Sequence, residues 1–258
     1  MGNDQRPVVY RIDDQVAWIY LNRPSRLNAV NPELVEALCQ TLMRAERDQA
    51  RAVILMGKGK SFCSGHDLRE EESPVKEAEL YRRVQNIQDV TRIIRRLPMP
   101  VIAAVHGYAL GAGCEFALCC DIIIAEDQAV FGFPEVSVGL SVTGGISYIL
   151  PKTIGEAKAK ELLFFGERFG AAEAEKLGLI NRVAETGKLH EAATDMANRL
   201  AAMPQMALSR AKFSINNGSQ SIDMAYHIEV DYALYTGQSQ EAMEEGKKFK
   251  DNRNKGGL

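Results

Sequence analysis

The stretch VIAAVHGYALGAGCEFALCCDIIIA, residues 101–125, holds two short apolar runs separated by glycines and a small-residue segment. VIAAV (101–105) and DIIIA (121–125) read as buried strands. Strands covered on both faces are hydrophobic almost without interruption, rather than alternating. Between them, glycines 107, 111 and 113 make a turn, and an apolar helix starts near Ala112. Strand, turn, helix, strand is the order of a βαβ unit with a right-handed crossover. One carboxylate, Glu115, sits at the mouth of this otherwise core-like segment.

The pattern repeats outward from there. VAWIYL (16–21) and AVILM (52–56) read as strands, and Val130-Phe131 as a short further one. Asn31-Pro32-Glu33 has the form of a helix start, with Asn as N-cap, Pro in the first helical position and an acid in the first turn. That helix runs to about Asp48. Apolar residues at helical spacing from Glu77 to Leu97 predict a second helix, stopped by Pro98 and Pro100. From Gly155 onward the chain reads as mostly helical, with breaks at Gly170, Pro204 and Gly218. The expected fold class is α/β with a helical last third. Helices in that position often cover a neighbouring subunit, so oligomerisation is expected.

The 258 residues suffice for a substantial core, and 46% are hydrophobic against 25% charged. Lys plus Arg number 31 and Asp plus Glu 34, for a formal charge of −3. That balance argues against a general nucleic-acid binder. No apolar run is long enough to span a bilayer. MGNDQRP at the start lacks the apolar core of a signal peptide, and Arg6 stands where a myristoylation motif requires Ser or Thr. Five cysteines without a CxxC pair read as reduced thiols, and a cytoplasmic location is expected.

Several motifs fail on inspection. Gly59-Lys60-Ser61 ends like a phosphate-binding loop, but the glycine required five residues earlier is Ile54. Gly111-Ala112-Gly113 opens like a dinucleotide fingerprint, but its third glycine would be Phe116. Ser64-Gly65 is no nucleophile elbow, because Phe62 takes the first glycine position. The four histidines have no metal-ligand spacing, so no metal is expected. His66 and His106 flank glycine turns, where they serve either a site or the local structure.

Three stretches carry chemistry. A helix starting near Ala112 leaves its first amides without internal partners, so the Ala112 N–H is a candidate donor to a developing oxyanion. The same stretch also reads as a tight turn with Glu115 favouring a helix N-terminus. After the strand AVILM, a glycine-containing loop leads to Phe62-Cys63-Ser64-Gly65 and a helical start at Asp67, with the Ser64 N–H as a second donor. A plain loop capped by Asp67 is the other reading. In FGFPEVSVGL (131–140), Glu135 lies between apolar neighbours, 20 residues beyond Glu115. It is either a helix-start acid or the partner of Glu115 around one water, as base and acid.

Taken in order, SFCSGHDL (61–68), residues 101–125 and FGFPEVSVGL resemble the enoyl-CoA hydratase/isomerase (crotonase) superfamily. The resemblance extends to LNRPSRLNAV (21–30), GERFGAAEAEKLGLINRV (166–183) and EGKKFKDNR (245–253), and so covers nearly the whole chain. It implies a spiral of repeated ββα units with a helical C-terminal extension: a core with the CoA and catalytic site over residues 1–195, and an oligomerisation region over 196–258. It implies a homotrimer or dimer of trimers. It implies hydration of a 2-enoyl-CoA, with no tightly bound cofactor and with coenzyme A as part of the thioester substrate. A double-bond isomerase, another acyl-CoA reaction, or a non-catalytic CoA-thioester-binding homologue are the alternatives. The catalytic carboxylates fall on Glu115 and Glu135, the oxyanion donors on the amides of Ser64 and Ala112, and the CoA contacts on Ser25, Arg26, Leu27, His66, Asp67 and Leu68. The family commonly has Gly at the position of Ala112. Its Gly-x-x-Pro-Gly-x-Gly-Gly-Thr-Gln-Arg-Leu pattern is here GLSVTGGISYIL (139–150), which lacks the Pro and the Arg and so leaves the acyl group open.

Overall fold

The computed structural model describes residues 5–67, 76–217 and 222–255. These residues form two compact units, 1–201 and 202–258.

The first unit is built on a six-stranded sheet. Strands β1 (Val8–Asp13) and β2 (Val16–Leu21) pair antiparallel. The sheet continues in parallel through β3 (Ala52–Gly57), β4 (Val101–Val105), β6 (Ile122–Glu126) and β9 (Arg182–Ala184), in the order β1-β2-β3-β4-β6-β9. A second sheet has three short strands, β5 (Tyr108–Leu110), β7 (Val130–Gly132) and β8 (Arg168–Gly170), with β5 and β7 parallel. Each turn of the spiral gives one strand to the large sheet and the next to the small one, as in β4–β5 and β6–β7. After β3 the chain makes only a single parallel bridge to the small sheet, Cys63 to Ala109.

The apolar runs follow from this architecture. In β2, Ala17, Ile19 and Leu21 join one core, and Val16 and Trp18 the other. The same alternation divides Val53 and Leu55 from Ala52 and Ile54 in β3, and Ala103 and Val105 from Ile102 and Ala104 in β4. A sheet covered on both faces has no wet side, so no polar residue is needed at every second position. The main core is covered by α1 (Pro32–Arg47), α2 (Glu77–Arg96) and α3 (Ala112–Leu118). The other face is covered by Leu189, Ala193, Ala197 and Ala201, every fourth residue of one helix, α7 (Leu189–Ala202). Between α3 and α7 run α4 (Ile146–Ile154), α5 (Glu156–Phe165) and α6 (Ala171–Lys176).

The second unit consists of α8 (Gln205–Asn217), α9 (Ile222–Gly237) and α10 (Gln240–Lys255). Phe213 meets Tyr232 edge-on at 5.7 Å, and the Arg210 guanidinium lies over Tyr232 and Tyr235.

The expected strands 16–21 and 101–105 are present at the same bounds, and Asn31 caps α1 by accepting the Leu34 N–H at 3.0 Å. Three expectations need correction. The strand read as 121–125 begins at Ile122, because the Asp121 carboxylate turns back to accept the Val101 N–H at 2.7 Å. The glycine turn after β4 contains β5, whose three residues become a strand only through pairing with β7. The helical last third is interrupted by β8 and β9, each three residues long. The helix start expected at Asp67 runs into residues outside the described ones; the Asp67 carboxylate itself pairs with Arg23 at 3.0 Å. Gly218 and Leu68 lie outside the described residues. Among the described residues, no helix is long and apolar enough to cross a membrane.

Ala193 is fully buried against the second core. Ala193→Leu is expected to lower the unfolding free energy by about 1–3 kcal/mol through overpacking. An unchanged urea midpoint would contradict this packing.

Candidate active site

The small sheet sets the site. The bridge at Cys63, strand β5 and strand β7 run parallel, so the segments leaving them emerge at one end. Ser64 follows the first, Ala112 the second and Glu135 the third. Hydrogen bonds lock the first two segments together: the Cys63 N–H donates to the Tyr108 carbonyl at 2.8 Å, and the Leu110 N–H to the Cys63 carbonyl at 3.0 Å.

Two glycines permit the close approach. Gly111 has φ 51° and ψ −126°, a conformation foreign to residues with a Cβ, and a Cβ there would lie 2.9 Å from Glu135 Oε1. At Gly113 a Cβ would lie 2.4 Å from the Cys63 carbonyl oxygen. The Glu135 carboxylate therefore lies over the turn that opens α3.

Glu115 is 1% exposed and Glu135 9%. Both oxygens of Glu115 are held: Oε1 accepts the Thr143 N–H and Oε2 the Thr143 hydroxyl, each at 2.6 Å. Burial raises the Glu115 pKa, and the two Thr143 hydrogen bonds oppose the rise. Glu135 lies in a short 3₁₀ turn, Pro134–Val138, and its buried Oε2 has no hydrogen-bond partner. Burial first, and then the charge of Glu115, push its pKa up to about 7, against the pull of its own backbone N–H. The two carboxyl groups therefore interact electrostatically.

The predicted donors are not alike. Ala112 is the first residue of α3, so its N–H has no acceptor within the helix. The Ser64 N–H donates to the Leu27 carbonyl at 3.0 Å. Ser25, Arg26, Leu27, Ser64, His66 and Asp67 line one cavity of about 280 Å³ together with Ala29. His106 turns elsewhere, its Nε2 lying 3.1 Å from the Gly59 carbonyl oxygen.

Two residues escaped the sequence reading. Asn28 is fully buried, accepts the Arg23 N–H and donates to the carbonyls of Lys58 and Ser61, joining the two loops that wall the cavity. Its φ of 56° is a conformation Asn tolerates better than most residues, which is a weak signal in sequence. Thr143 gave no signal at all, since its partner is 28 residues away. Among the described residues, no cluster of His, Cys, Asp or Glu could hold a metal ion.

The sequence profile of the enoyl-CoA hydratase/isomerase family matches residues 11–255. The short-chain-enoyl-CoA hydratase of Clostridium acetobutylicum is 38% identical over 226 residues, 86% of each chain. The crotonyl-CoA hydratase of Syntrophomonas wolfei is 35% identical over 228 residues, 87% of each chain. The crystal structure of an enoyl-CoA hydratase from Bacillus anthracis matches with a TM-score of 0.91 at 33% identity, over 96% of this chain and 97% of that one.

A carboxyl whose pKa rises on folding favours the folded state only while protonated. The cost of holding Glu135 is absent below about pH 4.5, grows as pH rises, and is complete above about 7. Glu135→Gln is therefore expected to stabilise the protein at pH 8 by about 1–2 kcal/mol, allowing for solvent screening, and to leave it unchanged near pH 4.5. Denaturant unfolding at both pH values checks this, and a gain of equal size at both would contradict it.

Proposed function

The chain belongs to the enoyl-CoA hydratase/isomerase family, and from that premise we propose that it is an enoyl-CoA hydratase. It adds water across the double bond of a 2-enoyl-CoA to give a 3-hydroxyacyl-CoA. The single observation that carries this reading is the burial of Glu115 and Glu135 as an interacting pair, one held by Thr143 at both oxygens, the other with an oxygen that lacks a partner and a pKa near 7. One base and one acid around one water are what hydration needs.

In this mechanism Glu115 takes a proton from water as the water oxygen bonds to Cβ. Electrons of the double bond shift toward the thioester carbonyl, which becomes an enolate. Glu135 then gives its proton to Cα. The product gains one oxygen and two hydrogens, and solvent restores both carboxyls to their starting forms. The Ala112 N–H, which has no acceptor within its helix, donates to the enolate oxygen. The Ser64 N–H is the second donor, and it reaches that oxygen by sharing its hydrogen with the Leu27 carbonyl or by displacing it. The methyl of Ala112 narrows the pocket beside the donor without removing the N–H. The cavity lined by Ser25, Arg26, Leu27, His66 and Asp67 receives the CoA moiety.

A homotrimer or dimer of trimers is part of the same reading, with residues 196–258 contributing to the subunit contacts. Exposed apolar side chains support it: Val136, Val138, Phe164 and Phe165 in the first unit, and Ile215, Val230 and Tyr235 in the second. Light scattering is expected to give three or six times 28.5 kDa. A monomer mass would sink the assembly.

The activity test is the loss of enoyl absorbance with crotonyl-CoA, the acyl group named by one relative. Glu115→Gln and Glu135→Gln are each expected to lower kcat by about 10²–10⁴-fold, the usual contribution of a general acid or base. No turnover by the unmutated protein on short and medium 2-enoyl-CoAs would end this reading. Conversion of a 3-enoyl-CoA without hydration would replace it with the isomerase.

A further inference from the structure

We propose that Thr143 is a positioning residue that fixes which glutamate serves as base: its backbone N–H and hydroxyl grip the two oxygens of Glu115 and keep that carboxyl ionised and in one orientation. This rests on the hydratase reading and adds to it a residue outside the site assigned so far, whose hydroxyl stands where the quoted family pattern has Gly.

The geometry is a two-point clamp. Thr143 N donates to Oε1 and Thr143 Oγ1 to Oε2, both at 2.6 Å, in the range of hydrogen bonds to a charged group. Bonds to both oxygens oppose rotation of the carboxyl plane and leave each oxygen a lone pair for water. Both donors bind the charged carboxylate more strongly than the neutral acid, so the clamp favours the ionised form. Glu135 has no such clamp, and its buried Oε2 lacks a partner. When two buried carboxyls interact, the one with donors ionises first.

The clamp is itself held in place. Gly144 packs between α2 and α3, where a Cβ would lie 3.1 Å from Glu115 Cβ and 3.2 Å from Thr91 Cγ2. The Cys119 thiol lies 3.4 Å from the Gly144 carbonyl oxygen, at donor distance. The titratable groups facing Glu115 are few among the described residues. Glu135 faces it from the 3₁₀ turn, Cys63 from the loop after β3, and Cys114 and Cys119 from α3 and its end, with Arg95 of α2 acting on Cys119. Burial pushes the Cys63 and Cys119 thiols up to about 12 and raises Cys114 as well, so all three stay neutral around pH 7. The charge of Glu115 is therefore set between burial, which opposes it, and the two Thr143 donors, which favour it.

The test compares Thr143→Val, which keeps the N–H and the shape but loses the hydroxyl, with Thr143→Ser, which keeps both donors. The acidic limb of the kcat/KM profile with crotonyl-CoA is expected to move up by about one pH unit in the valine variant, and to return in the serine variant. A serine variant that behaves like valine, or a valine variant with the unmutated profile, overturns the proposal. A second measurement needs neither turnover nor a mutated Thr143. In full-length protein carrying ¹³C-labelled glutamate, assigned with Glu115→Gln and Glu135→Gln, the Glu115 carboxyl is expected to titrate below that of Glu135. The reverse order overturns the clamp. Absence of hydration by the unmutated protein overturns the hydratase reading alone, because the titration order still decides the role of Thr143.

Discussion

A carboxylate with 1% of its surface exposed must be given donors by the protein, and Glu115 imposes that requirement on everything around it. Its own helix cannot meet it, since α3 has only small and apolar neighbours to offer. The donors come from Thr143, so the turn before α4 has to close over α3. That closure is possible only because α3 already lies deep against the Cys63 loop, which Gly113 allows.

The spiral makes the convergence economical in chain length. Three successive segments enter or leave the small sheet in parallel, and each carries one element of the site just beyond its end. Ser64, Ala112 and Glu135 thus meet although 71 residues separate the first from the last. The large sheet contributes no side chain to this meeting. It supplies rigidity through two cores, so the loops at one end are held by strands that have little freedom to shift.

Two residues of one chemical type have been given different properties by environment alone. Both glutamates are raised by burial. Thr143 opposes that rise at Glu115, while at Glu135 the neighbouring negative charge adds to it. The two carboxyls therefore differ in their hydrogen-bond partners although both are buried.

Much of this was legible beforehand. The apolar runs of β2, β3 and β4 predict buried strands, because a sheet with two covered faces demands such runs locally. Asn31-Pro32-Glu33 predicts the start of α1, because capping is decided within four residues. The ordered set of glycine turns and acids around residues 64, 112, 115 and 135 points to one chemistry. The three-residue strands β5, β8 and β9 were not legible, since nothing in so short a run distinguishes it from a turn until partners pair with it. Neither was the pairing of Asp67 with Arg23, the bridging by Asn28, nor the grip of Thr143 on Glu115. The sequence by itself determined which segments must be buried and which carboxylates stand among apolar neighbours, because those are properties of consecutive residues. Only the tertiary structure decided which carboxylate receives hydrogen-bond donors, because those come from 28 residues away.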